Sequence, residues 1–251
     1  MENYLNKIER TYEHELLWGY PIVYKGITLY PVNCENVLDF NKFVHAMLYD
    51  PLRYPTEIST LPRLYFLTDI LNHDAEYWNN NPLLGQLIIN TMGILKLVLR
   101  DQRFEFPQNE KNKKHFLRVW ISESQYVDFK YKDFEMIRQI ILVQNGVDYD
   151  DTFIHEDIRQ WIEEQENADK TPKMDIEDSI EAYMIITKCC DMNEIKQVPL
   201  RTFNRVLEKA FSREQYCGVL SNPMFDGKIK HWATEDNRDN SLFDKYFKEV
   251  K

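Results

Sequence analysis

Three stretches of this 251-residue chain gather side chains able to do chemistry. His155-Glu156-Asp157 sets an imidazole beside two carboxylates, Cys189-Cys190-Asp191 sets two thiols beside one, and residues 111–115 (KNKKH) form a dense basic run near Arg100, Arg103 and Arg118. The first has the donor types of a metal site. A helical zinc site, however, needs two histidines one turn apart with a carboxylate nearby. His14, His45, His73, His115, His155 and His231 are each isolated in sequence. An acidic cluster opening a helix more often offsets the positive end of the helix dipole. The thiols lack CxxC spacing, and cysteine packs like a small apolar residue, so Cys189 and Cys190 read as the inner face of a helix. All four cysteines, Cys34 and Cys217 included, are expected to be reduced, as in a cytoplasmic setting. The basic run reads as a solvated loop, because a formal net charge of -10 repels phosphate backbones and anionic lipid headgroups. Seven glycines supply no GxGxxG or GxxxxGKS/T cradle, and no GxSxG elbow is present. The residues therefore predict no metal, no cofactor, no nucleic acid and no catalytic constellation.

What remains is recognition by aromatic side chains, which are enriched at protein interfaces. Tyr24, Tyr30, Trp120 and Trp232 are candidate partner-binding residues, with Gly26 in the turn between the first two; Phe225 is a further exposed-aromatic candidate.

The elements that must position them alternate between two periods. Residues 2–18 read as a helix with Leu5, Ile8, Tyr12 and Leu16 inward and a stop at Gly19. YPIVYKGITLYPV follows, Tyr20 to Val32. A two-residue turn at Lys25-Gly26 opposes Tyr24 to Ile27, Val23 to Thr28 and Ile22 to Leu29, which collects the apolar set on one face. A slip of one residue would scatter it, so the pattern specifies the register. A lone hairpin needs a surface to dock on. Asn36 to Tyr49 offers one, with Val37, Phe40, Val44 and Leu48 at helical spacing.

Thr60 and Pro62 open a further helix carrying Leu64, Leu67 and Leu71. Asn81-Pro82 opens a longer one, to about Arg100, with Leu84, Leu87, Ile88, Thr91 and Leu95 inward. This longest apolar region is interrupted by Gln86, Asn90, Thr91 and Lys96 and reads as a buried helix, not a membrane span. From Phe116 to Tyr131 the period returns to two. Opposing Ile121 to Val127 puts Leu117, Val119, Ile121, Val127, Phe129 and Tyr131 on one face and Arg118, Asp128 and Lys130 on the other, with a loop at 123–125. Asp133 then caps a helix carrying Phe134, Ile137, Ile140 and Ile141, closed by Asn145-Gly146. Further helices are predicted at 155–166 (with Ile158, Trp161 and Ile162), 175–192 and 199–216, before a loop-like tail and a short final helix at 241–250.

A hydrophobic share of 43% with 14% aromatic residues is ample for a packed core. The fold class is mainly α with two small β-hairpins, an α+β helical globular protein. Residues 1–165 read as a hairpin-containing helical domain and 166–251 as a C-terminal helical region, which the same domain could include. The polar stretch EEQENADKTPKMDIED serves either as linker or as a loop within one domain. The N-terminal MENYLNKIERTYEHELLW has charges throughout and no apolar signal-peptide core, so cytoplasmic placement is expected.

Three stretches carry a family likeness: LWGYPIVYKGITLYPV followed by a helix, DFEMIRQIILVQNG after a short strand, and GKIKHW near the end. Together they resemble the tail assembly chaperones of tailed bacteriophages of Gram-positive hosts, or a related tail morphogenesis protein. The likeness covers about Trp18 to Trp161 and the region of His231. It implies a non-enzymatic role in virion morphogenesis: binding the phage tail tape measure protein, a long apolar helical chain, and keeping it soluble while the tail tube polymerises. It also implies self-association and a location in the cytoplasm of the infected bacterial host. A virion connector or baseplate subunit is the alternative, and a small phage-encoded enzyme or host-defence inhibitor is a third reading.

Overall fold

Pro82 sets the backbone for a helix that runs 18 residues without a break, and elements that precede it in the chain pack on that rod. The computed structural model describes residues 4–48, 62–71, 73, 75–107, 115–147 and 175–221. The chain divides into two compact units, Met1–Thr152 with Pro199–Arg201, and Phe153–Val198 with Thr202–Lys251. The predicted boundary at 165/166 lies outside the described residues, as do the helix at 155–166 with Trp161, the cluster at His155, the linker's first residues, Thr60, Phe225, Trp232 and the tail.

In the first unit the order is α1 (Tyr4–Thr11), α2 (Glu13–Trp18), β1 (Ile22–Tyr24), β2 (Ile27–Leu29), a 3-10 turn (Cys34–Asn36), α3 (Val37–Phe43) and α4 (His45–Leu48). Then come α5 (Arg63–Leu71), α6 (Ala75–Asn80), α7 (Pro82–Leu99), β3 (Phe104–Glu105), β4 (Leu117–Trp120), β5 (Tyr126–Phe129) and α8 (Tyr131–Gln144). Helices α3, α4, α5 and α6 and strand β2 pack on α7, while α1, α5 and β5 pack on α8. The mainly α architecture with two small antiparallel sheets is as the sequence predicts.

The inward residues predicted for α7 are all buried, with Ile94, Val98 and Leu99 added to them. By length and composition α7 is the one helix among the described residues apolar enough to cross a membrane; half of it is buried in the fold. On α8, Phe134, Ile137, Ile140 and Ile141 are buried as predicted. Arg138 is buried beside them, with 1% of its surface exposed. Its guanidinium donates to the Met47 carbonyl and to Glu135, which also accepts from Arg63, so the buried charge is paired.

Four helix boundaries differ from the sequence reading. The first helix is broken at Tyr12, whose φ of -118° and ψ of 31° are not helical. A break at Val44 separates α3 from α4 and turns the inner face, so Met47 is buried and Leu48, predicted inward, is exposed. Helix α8 starts at Tyr131 from Lys130, and Asp133 sits in its first turn with its carboxylate engaged elsewhere. In the second unit, α9 (Ile176–Thr187) stops five residues early because Lys188 takes a left-handed φ of 58°. Asp191 then caps α10 (Met192–Gln197), and α11 (Leu200–Leu220) follows. In this unit Tyr183 stacks on Phe203 at 4.8 Å, both buried.

The β1–β2 register is the predicted one: Ile22 opposite Leu29, Val23 opposite Thr28, Tyr24 opposite Ile27. Both turn residues have positive φ, Lys25 at 48° and Gly26 at 87°, the requirement of a type I′ turn. Ile22, Ile27 and Leu29 are fully buried while Val23 is 61% exposed. Gly19, at φ 68°, ends α2, and a Cβ there would meet Pro199 Cγ at 2.6 Å. That approach lies within the first unit, to which Pro199–Arg201 belong; there Leu200 N–H donates to the Val32 carbonyl and Arg201 donates to the Val143 carbonyl and to Glu9.

The second hairpin keeps its predicted faces but not its register. Leu117 opposes Phe129 and Val119 opposes Val127, two residues from the predicted pairing. Ile121 is therefore an exposed loop residue, and Tyr131 opens α8. Strand β3 pairs with β4 and makes a three-stranded sheet where a hairpin was predicted.

Candidate functional site

Where α7 ends, the chain makes a loop of four residues, Arg100 to Arg103, that organises the surface around it. Arg100 has φ 52° and ψ -114°, a backbone conformation that non-glycine residues rarely adopt. Its guanidinium lies 4.2 Å from the centre of the Tyr30 ring. Tyr30 is fixed there because its N–H donates to the Val98 carbonyl at 2.8 Å. At the other end of the loop, the Arg103 carbonyl accepts from Trp120 N–H at 2.9 Å, and the Arg103 guanidinium lies 4.3 Å from the Trp120 ring. Each ring is thus tied by a backbone hydrogen bond to the segment that supplies its arginine.

Gln102 holds the middle of the loop. Thr28 and Val23 form the non-hydrogen-bonded pair next to the turn, so the Thr28 amide and carbonyl point out of the hairpin. The Gln102 side chain accepts from Thr28 N–H at 3.2 Å and donates to the Thr28 carbonyl at 2.5 Å. It closes the outer edge of β2. Among the described residues, no side chain clamps the edge of β1 at Val23 in this way.

Between these stacks lies a cleft of about 540 Å³, lined by Tyr30, Arg100, Arg103, Trp120, Ile121 and Glu123 among others. That volume suits a small ligand or a few side chains of a partner. Arg118 continues the pattern beside it, 3.9 Å over Tyr126 and paired to Asp128 at 2.7 and 2.9 Å, with Glu105 at 3.8 Å.

Of the candidate residues, Tyr30 and Trp120 are brought together in this cleft, 90 positions apart in sequence. Gly26 abuts it: a Cβ there would meet Ile121 Cδ1 at 2.9 Å, so the first hairpin's turn rests on the second hairpin's loop. Tyr24 belongs elsewhere. It stacks on Phe129 at 6.3 Å and donates its hydroxyl to Asp133 at 3.1 Å, where Lys25 also donates at 2.6 Å. Burial, then the Asp133 bond and charge, push the Tyr24 phenol up to about 12. Burial alone would raise Asp133, but the bonds from Lys25 and Tyr24 outweigh it and hold the carboxyl below its ordinary value. Trp232 lies outside the described residues.

The other chemistry-bearing stretches stand apart from the cleft. Cys189 and Cys190 are not on a helix face: α9 ends before them, Cys190 is exposed and Cys189 half-buried, which corrects the inner-face reading. Both thiols are free, as are Cys34 and Cys217. Cys189 Sγ lies 3.3 Å from Glu194. Of the basic run, His115 is described; its ring stacks on Tyr65 at 4.3 Å. Among the described residues no three His, Cys, Asp or Glu side chains converge as a metal would require.

Gln102, Arg100 and Arg103 were not predicted as site residues. The arginines are noted in sequence only as neighbours of the basic run, and nothing local marks them, because their stacking partners sit far along the chain. Placed over a ring, a guanidinium still has N–H donors for a carboxylate or phosphate. The cleft lining also includes Asp101, Glu123 and Ser122, whose hydroxyl accepts from Gln125 N–H. Comparison with protein families, with curated proteins and with solved structures finds no match for this chain.

Proposed function

We propose that this protein works by binding another polypeptide, as a non-enzymatic phage tail assembly chaperone, and that the Tyr30–Trp120 cleft with the adjoining hairpin turn is its contact surface. The observation that carries the binding role is the cleft itself: two aromatic rings from distant segments, each stacked with an arginine and fixed by backbone hydrogen bonds. Tryptophan, tyrosine and arginine are the side chains that dominate binding energy at protein interfaces. The client's identity, the tape measure protein, follows from the resemblance of the stretches around Trp18–Val32, Asp133–Gly146 and Gly227–Trp232. An acidic exterior, at net charge -10, suits the task of keeping an apolar helical client in solution. In this role the protein acts in the cytoplasm of the infected host and self-associates when it has no client.

Co-expression with tape measure fragments tests the role. The fragments should co-purify with the protein and their soluble yield should rise. A monodisperse monomer that leaves fragment solubility unchanged would contradict it.

A further inference from the structure

We propose that Arg100 and Arg103 form a clamp for a carboxylate side chain of the bound polypeptide; this rests on the reading of the cleft as a polypeptide site. Three independent observations converge on the loop. The first is the backbone of Arg100, whose φ of 52° and ψ of -114° no neighbouring glycine explains. Strain of this kind persists where surrounding structure enforces it, and here it aims the side chain over Tyr30 into the cleft. The second is rigidity. Gln102 bonded to Thr28 and Leu99, with the Arg103 carbonyl bonded to Trp120, fixes both ends of a four-residue loop. The third is availability. Arg100 has no ion pair among the described residues, and Arg103 has only a loose one, with Nη2 3.6 Å from Glu105. Arg118, by contrast, is spent on its bidentate bond to Asp128.

Two guanidinium groups lining one cleft match a planar, singly charged carboxylate, which accepts N–H donors in pairs. A phosphate shares that chemistry, but Asp101 and Glu123 also line the cleft, and their repulsion is about twice as strong for a dianion as for a singly charged carboxylate. A lone Asp or Glu in an otherwise apolar segment meets the arginines at the centre while its apolar neighbours meet the exposed Ile121. The clamp would also fix the client's register, since charged groups at an interface contribute specificity more than affinity.

The test compares tape measure fragments with the same fragments in which every Glu and Asp is changed to Gln and Asn. Binding is followed by calorimetry and by the change in tryptophan fluorescence that Trp120→Phe removes. The acidic fragments should bind about tenfold tighter. Arg100→Gln with Arg103→Gln should erase that preference while the circular dichroism spectrum is unchanged, and Arg100→Lys with Arg103→Lys should restore only part of it. If wild type binds both fragment sets equally, the clamp is wrong and the polypeptide site stands. If neither set binds, the polypeptide site falls and the clamp with it. If inorganic phosphate or AMP saturates the Trp120 signal and the fragments do not, the arginines serve a phosphate ligand and the carboxylate assignment is overturned.

Discussion

The two small sheets of the first unit are held in opposite ways. The β1–β2 hairpin is short and fastened on its inner face and along its β2 edge, with Val23 on β1 left exposed. Its inner residues are fully buried, Gln144 donates to the Tyr20 and Leu29 carbonyls, Asn145 accepts from Val32 N–H, and Gln102 closes the β2 edge. The β4–β5 hairpin with β3 is fastened on one face only. Leu117, Val119 and Phe129 are buried, while Arg118, Trp120 and Tyr126 face outward as a ladder of stacked rings and guanidinium groups. The first hairpin is a frame that fixes Tyr30, and the second presents an outer face of aromatic rings and guanidinium groups without giving up its core.

That contrast predicts unequal sensitivity to mutation. Ile27→Ala, at a residue with no exposed surface, should cost about 2–5 kcal/mol in chemical denaturation. Gly26→Val combines a left-handed φ of 87° with a clash at Ile121, and should cost about 1–2 kcal/mol from the backbone alone. Gly26→Asn should cost clearly less, because asparagine tolerates that conformation. Equal losses for Val and Asn would mean that the Ile121 contact, not the backbone, governs the turn. On the outer face of the second sheet, Arg118→Ala should cost no more than about 1 kcal/mol, since exposed ion pairs contribute little. A loss as large as that of Ile27→Ala would place the outer face in the core and remove the distinction.

The same difference explains what the sequence made legible. In YPIVYKGITLYPV two constraints coincide, alternation of apolar residues and a two-residue turn that only one register allows, so every pair was readable. Between Leu117 and Phe129 alternation alone was present. Alternation fixes the face and leaves a slip of two residues undetermined, and the five-residue loop from Ile121 to Gln125 does not choose. Strand β3 is two residues long and has no pattern of its own. Helix α9 ends at Lys188, a residue that does not signal the left-handed conformation as glycine does, so Cys189 and Cys190 were placed on a helix they do not belong to. The aromatic half of the cleft could be guessed from residue type. Its arginine half could not, because Arg100 reaches Tyr30 across 70 positions and only the fold makes them neighbours.

The smallest effect expected is on pH dependence, and it belongs to the hairpin frame. Asp133 is depressed in the folded protein, so its contribution is present above the ordinary carboxyl value of 3.8 and is lost as the pH falls through its lower folded value. Tyr24 is raised, so its contribution is complete below 10.0 and is lost as the pH rises toward about 12. Asp133→Asn should flatten the acid side of the stability profile and weaken the alkaline side near Tyr24. A profile unchanged on both sides would mean that the Tyr24–Lys25–Asp133 cluster does not anchor the hairpin.

Capture of a co-expressed tape measure fragment by the wild-type protein and by the double variant Tyr30→Ala, Trp120→Ala decides whether a polypeptide binds in the cleft. Wild type should capture the fragment, and the variant should lose most of that capture while its helical circular dichroism signal and its melting cooperativity persist. Undiminished capture by a folded variant would contradict binding in the cleft.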